Sequence, residues 1–323
     1  MPRIISVSRR TDIPAFYGDW FMNRLKEGFA GYVNPFGGQK YIVSLEPQDV
    51  ACFVFWSKNF SPFLDKLMIL EELGYKFYFN YTITGLPRIF ECNSVDKETA
   101  IKALKELSRR YSPGHINWRY DPIISSDITD CEFHLRNFEN IASALEGYVR
   151  RCYFSYVVLY GKVRKNFEKF QGQNGVRIAD LEADLRIRLA NRLADIADIH
   201  GISMFTCCGD DLMSGKIRKA HCVDGKLIKE LFGINGFICN ERPTRNECGC
   251  TESADIGTYD TCPHGCIYCY ANMNKKVADM RYEHHDKDAA FLGYTKVESD
   301  KWVEDVKMAQ SGKIFVQTKI ISQ

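Results

Sequence analysis

The sequence predicts an α/β protein, a (β/α) TIM-like barrel, complete or partial, with a Cys-rich C-terminal segment. Three observations support this. Short β-branched or aromatic runs alternate with amphipathic helical stretches from residue 3 to about 208. Several runs are almost continuously apolar, as parallel strands buried on both faces are. With 323 residues, 45% hydrophobic and 13% aromatic, the chain can fill a core of barrel size. An open doubly wound sheet satisfies the same pattern, but no GxGxxG follows a strand and no GxxxxGK[ST] occurs, so the usual nucleotide-binding folds lack support.

Strands are expected at residues 4–8, 50–56, 76–82, 115–120, 153–159 and 202–207. The turn Asn34-Pro35-Phe36-Gly37-Gly38, leading into residues 41–45, reads as a hairpin inserted early. Thr11 or Asp12 caps a first helix, with Pro14 in its first turn and an apolar stripe of Phe16, Trp20, Phe21 and Leu25. Ser61-Pro62 opens a second helix that Gly74 closes. Residues 96–110 form a third, ended by Ser112-Pro113-Gly114. Two more are expected at 130–145 and 177–200, the latter after a polar loop at 171–175. Beyond residue 208 the pattern thins to one helix at 226–232, a Cys-rich stretch at 247–272, and a charged tail with a candidate strand at 313–321. The expected division is a barrel portion (1–208), a Cys-rich segment closing the barrel (209–272) and a C-terminal extension (273–323).

With 43 basic and 41 acidic residues, the net charge of +2 excludes the strong field of a general nucleic-acid or membrane-surface binder. No apolar run approaches the ~20 residues that span a bilayer, and MPRIISVSRR lacks a signal-peptide apolar region. A cytoplasmic location is therefore expected, where the 13 cysteines stay reduced. Cys52, Cys92, Cys131 and Cys152 are scattered, while the other nine fall between positions 207 and 269, a clustering that marks metal sites.

The sharpest feature is Cys262-Pro263-His264-Gly265-Cys266-Ile267-Tyr268-Cys269. Three thiolates from one short loop can hold three irons of a 4Fe–4S cluster and leave the fourth iron open to a small molecule. Zinc on these cysteines plus His264 or a distant cysteine is the alternative, although zinc ribbons favour paired C-x2-C knuckles. Cys207, Cys222, Cys248 and Cys250 could form a second metal centre, 4Fe–4S or zinc, with Cys208 and Cys239 read as ordinary buried residues. Polar residues follow the strands where α/β proteins carry their chemistry: Arg9, Arg10 and Asp12 after the first, Arg119 and Asp121 after the strand at 115–120. Guanidinium groups there suit a carboxylate or phosphate, or tie strand to loop by pairing with the aspartates. His284-His285-Asp286 reads as a solvated polar run.

Residues 262–269, with Tyr268 ahead of the last cysteine, resemble the signature loop of the radical S-adenosylmethionine (SAM) superfamily. The resemblance implies a 4Fe–4S cluster on Cys262, Cys266 and Cys269, SAM chelated to its open iron, and Tyr268 near the adenine. It also implies a 5′-deoxyadenosyl radical formed by reductive cleavage, and an electron donor such as a flavodoxin or ferredoxin. The segments SVSRRTDIPAF, NPF, VFWSKN, WRYDPI and ECGC…TCPHGCIYCYAN resemble the uncharacterised family called domain of unknown function eighteen-forty-eight, over about residues 3–292. Radical SAM enzymes place the loop after their first strand, whereas here most strands come before it. The resemblance therefore implies a circularly permuted radical SAM strand order, with a strand at 256–261 beside that at 4–8. Arg9 and Asp12 would then contact SAM, and Arg10, Arg119 and Asp121 would face SAM or substrate. The alternative function is a non-catalytic iron–sulfur or zinc-binding module; nucleic acid is a conceivable but unindicated partner, and no membrane partner is expected.

Overall fold

The computed structural model describes residues 1–310, so the candidate strand at 313–321 lies outside the described residues. The first half of the chain runs β1 (Arg3–Val7), α1 (Ile13–Phe16), α2 (Gly18–Lys26), β2 (Phe29–Val33), β3 (Lys40–Ser44), β4 (Val50–Ser57), α3 (Leu64–Glu72), β5 (Phe77–Thr82), α4 (Lys97–Arg110), β6 (Ile116–Ile123), β7 (Ser125–Ser126), α5 (Cys131–Leu145) and β8 (Arg151–Tyr156). It continues through α6 (Gly161–Asn174), β9 (Ile178–Ala179), α7 (Ala183–Ile199), β10 (Ser203–Thr206), β11 (Ile217–Lys219), α8 (Gly225–Phe232), β12 (Ala254–Asp255), α9 (Lys275–Glu283) and α10 (Lys296–Gln310).

Eight strands form one parallel sheet in the order β11–β10–β8–β6–β5–β4–β1–β12. The fold is thus mixed α/β around a large parallel sheet, as the strand pattern predicts. Period-two alternation separates its faces. Ile5 and Val7, Phe53 and Phe55, Phe77, Phe79 and Tyr81, and Trp118 and Tyr120 join the main core with the buried sides of the helices. Ile4, Cys52, Val54, Tyr78 and Tyr153 lie in a second cluster, with Leu227 and Ile228 of α8. That second face turns polar along the strands: Tyr78 Oη and Asn80 Nδ2 both donate to Cys222 O, at 2.9 and 3.0 Å. Residues between β10 and β12 therefore cover the second face.

Several elements differ from expectation for local reasons. The first helix is two, broken at Tyr17, whose N–H closes on Ile13 O at 2.8 Å while its hydroxyl turns away to Thr261 O. The strand expected at 256–261 is the two-residue β12, paired earlier, at Ala254 and Asp255, against Ile5 and Ser6. The helix expected at 177–200 begins at Ala183, and α6 forms ahead of it on Val163, Phe167 and Phe170. Residues 273–310 carry α9 and α10, tied back by Trp20 Nε1 donating to Ala289 O at 2.8 Å. No helix among the described residues is long and apolar enough to cross a membrane.

Candidate metal centre and its surroundings

Because β12 pairs with β1, the loop that follows it starts beside the end of β1. Asp255 anchors this junction. Its buried carboxylate accepts from Ser6 Oγ at 2.8 Å, Ser8 Oγ at 2.5 Å, Arg9 N at 2.9 Å and Gly257 N at 3.1 Å. Arg9 Nε lies 3.4 Å and Arg10 Nε 3.9 Å from it. Burial alone would raise this carboxyl, but the two guanidinium groups and the donors hold it below the usual range. Arg10 also donates to Val33 O and Gly257 O, at 3.1 and 3.2 Å. In the structure Arg9 and Arg10 thus lock the strand edge to the loop.

The loop itself is fastened at several points. Tyr17 Oη donates to Thr261 O at 2.5 Å, Asn272 Nδ2 to Cys262 O at 2.7 Å and Asn93 Nδ2 to Pro263 O at 2.8 Å. His264 is buried, with Nε2 2.7 Å from Asp12 Oδ2 and Nδ1 3.5 Å from Ser94 Oγ. Asp12 in addition caps α1 through Ala15 N at 3.0 Å and accepts from Lys58 N at 2.8 Å. Nε2 of His264 is thus committed to Asp12, while Nδ1 has only the long contact with Ser94. Gly265 has φ +70°, and a Cβ there would stand 2.7 Å from Cys92 Sγ and from Lys275 Nζ. Only glycine suits both that conformation and that approach.

Cys262, Cys266 and Cys269 present half-buried thiols that feel one another through space. Burial pushes all three upward, Cys266 to about 12 although Lys58 works against it, so loading a metal here must release protons. Beside Cys266 lies a polar cluster centred on Glu91 Oε1. Lys58 Nζ and Thr84 Oγ1 each donate to that oxygen at 2.8 Å, and the Tyr268 hydroxyl donates to it as well. Burial disfavours the Lys58 ammonium, yet Glu91 and Cys266 hold its pKa above the ordinary value. Asp255, Glu91, Thr84 and Asn93 carry no motif in the sequence. Lys58 had one signal, its place directly after β4 in VFWSKN.

Arg119 and Asp121 stand at the second cysteine group. Arg119 Nη1 donates to Cys222 Sγ at 2.8 Å, its guanidinium pairs with Asp121, and it lies over the Trp56 ring at 5.0 Å. Asp121 also accepts from the Ser155 hydroxyl. Cys207 and Cys222 approach to 3.5 Å between sulfurs. Cys208, read from sequence as an ordinary buried residue, instead accepts from Arg245 Nε at 2.9 Å. Arg9 is near enough to feel Cys250 as well as Asp255. A cavity of about 240 Å³ opens at the ends of β8 and β10, lined by Ser155, Arg164, Arg186, Cys207, Cys208 and Asp211 among others. It borders the second group. As they stand, no three His, Cys, Asp or Glu side chains among the described residues form a ready metal cage. His284 and His285 close back on Met280 O and Tyr282 O, at 2.8 and 2.9 Å, finishing α9.

None of the curated proteins matches the chain. The family described as a domain of unknown function (DUF1848) matches residues 4–271, from β1 through the triple-cysteine loop, and the chain belongs to that family.

Proposed function

We propose that the protein is a radical SAM-type enzyme whose 4Fe–4S cluster is held by Cys262, Cys266 and Cys269. The observation that carries this reading is a loop offering three half-buried thiols close enough to act on one another electrostatically, with Nε2 of its one histidine committed to Asp12. Three thiolates suit three irons of a cubane and leave the fourth for SAM. When bound, the cluster supplies the electron that cleaves SAM into methionine and a 5′-deoxyadenosyl radical.

The chain's own residues set the frame for that chemistry. Asp12 and His264 fix the loop against α1, and Asp12 reaches the backbone of Lys58 with the same carboxylate oxygen. The Lys58 ammonium, held charged by Glu91, sits where it offsets thiolate charge at Cys266. Arg9 and Arg10, at the β1 edge, give the region positive charge toward which the SAM carboxylate is drawn. The sheet order supports a circular permutation. The strand feeding the loop comes last in the chain but stands next to β1, where a radical SAM barrel has its first strand. The electron donor is a reduced flavodoxin or ferredoxin, and the location is cytoplasmic.

Anaerobic purification and reconstitution, followed by reduction with SAM present, test the reading. The expected outcome is about four iron at this loop and 5′-deoxyadenosine as product, both lost in Cys262→Ala. An intact cluster that leaves SAM uncleaved overturns it.

A further inference from the structure

Five other sulfurs meet across three separate stretches of chain: Cys207 and Cys208 after β10, Cys222 between β11 and α8, and Cys248 and Cys250 before β12. Cys207 Sγ lies 3.5 Å from Cys222 Sγ. Cys222 is within hydrogen-bond reach of Cys250, Cys250 of Cys248, Cys248 of Cys208, and Cys208 of Cys207, so the five thiols close a ring. All five are free of disulfides. Their surroundings differ from those of a packed core cysteine. Cys52, wholly buried among hydrocarbon, uses its S–H as a donor to Phe53 O. The ring sulfurs receive bonds instead: Arg119 Nη1 donates to Cys222, Arg245 Nε to Cys208, Arg245 Nη2 to Cys207 and Val223 N to Cys250. N–H donors aimed at sulfur are the outer shell of thiolate ligands, and two guanidinium groups offset the net −2 of a divalent ion on four thiolates.

We propose that this ring is a structural zinc site with Cys207, Cys222, Cys248 and Cys250 as ligands, and Cys208 held outside it by Arg245. Cys208 leaves the strand with φ +56°, and its sulfur takes the shorter of the two Arg245 contacts, 2.9 Å against 3.5 Å for Cys207, which assigns Cys208 to the outer shell. The contact between Cys207 and Cys222 favours a single ion as the metal. Four thiolates at 2.3 Å from one zinc stand about 3.8 Å apart, close to the 3.5 Å of Cys207 and Cys222. Thiolates on a cubane bind separate irons and therefore stand wider apart than ligands of a single ion. Binding requires the ring thiols to turn about χ1 toward a common centre, since they do not yet form a closed cage. Zinc there would pin the segment between β10 and β12 onto the sheet's second face, whatever reaction the other loop performs.

Elemental analysis of the full chain, purified without oxygen from medium containing iron and zinc, tests the proposal. One zinc per chain is expected. It should persist when Cys262, Cys266 and Cys269 are all changed to Ala, which removes iron, and it should persist in Cys208→Ala. It should vanish in Cys222→Ala/Cys250→Ala while iron at the other loop remains. Should that double variant fail to fold, protein produced with cobalt(II) gives a second reading, and the visible bands of tetrahedral cobalt–thiolate are expected. Wild-type protein lacking zinc, or carrying about eight iron instead, overturns the proposal, as does zinc that leaves with the Cys262 loop.

Discussion

Glu91 is a carboxylate that burial alone would protonate, and Lys58, Tyr268 and Thr84 hold it below its ordinary range instead. Its contribution is therefore present above about pH 4.3, the unfolded value, and is lost as pH falls through the lowered folded value. Glu91→Gln should cost roughly 3 kcal/mol at neutral pH, the lower end for breaking a buried pair, because the amide oxygen still accepts from Lys58. Denaturant melts at pH 7 and at acid pH check this: the gap from wild type should narrow on acidification. A gap that stays constant refutes the assignment. The cysteines around this pair were legible in sequence because thiol spacing is itself a signal. Glu91 and Asp255 were not, since a lone carboxylate in a loop declares its role only when the chain brings Lys58 or Arg9 to it.

Between elements, His200 ties the end of α7 to α5 and the turn after it. Its Nδ1 lies 2.9 Å from Glu146 Oε2 and its Nε2 2.9 Å from Glu139 Oε1. Glu146 first, then Glu139, raise its pKa, and a cation suits a helix C-terminus. The tie is complete below about pH 6.5 and fades as pH rises through the raised folded value. With both carboxylates largely in water it is worth at most about 1 kcal/mol. Thermal melts between pH 5 and pH 9 should show this loss in wild type and a flatter profile in His200→Gln; equal profiles count against it. At this scale the buried strands of the sheet were readable, because near-continuous apolar runs have few other uses. β12 was misplaced because two residues carry no periodicity, and what defines it is pairing with β1. α9 escaped notice for a similar reason, as Ala278 is its one buried residue. α6 had a readable stripe in Val163, Phe167 and Phe170, which its polar remainder obscured.

Across the molecule, the triple-cysteine loop is bonded to the cap of α1, to the loop after β5, and to Asn272 on the approach to α9. Occupying it should stabilise all of these together, because whatever binds the native state alone raises stability. Calorimetry should therefore give a higher Tm for reconstituted protein than for protein purified without its iron. The variant lacking Cys262, Cys266 and Cys269 should match the iron-free form and gain nothing on reconstitution. An unchanged Tm on loading would mean that the native loop gains no preferential metal binding, and would count against the site. The α/β class was open to inspection from sequence; the coverage of the sheet's second face by residues between β10 and β12 was not, because those residues lack a repeating pattern and are held by contacts such as Tyr78 to Cys222.

The pairing of β1 with β12 also bears on how the protein is made. Roughly 250 residues separate the two strands, so at about 5–20 residues per second the outer edge of β1 waits roughly 12–50 s on the ribosome for its partner. An open strand edge over that interval invites pairing with other chains. Ser6, Ser8, Arg9 and Arg10, which later clasp Asp255, are the polar groups present at that edge meanwhile. The residues that finish the fold thus also guard the nascent chain until it can finish.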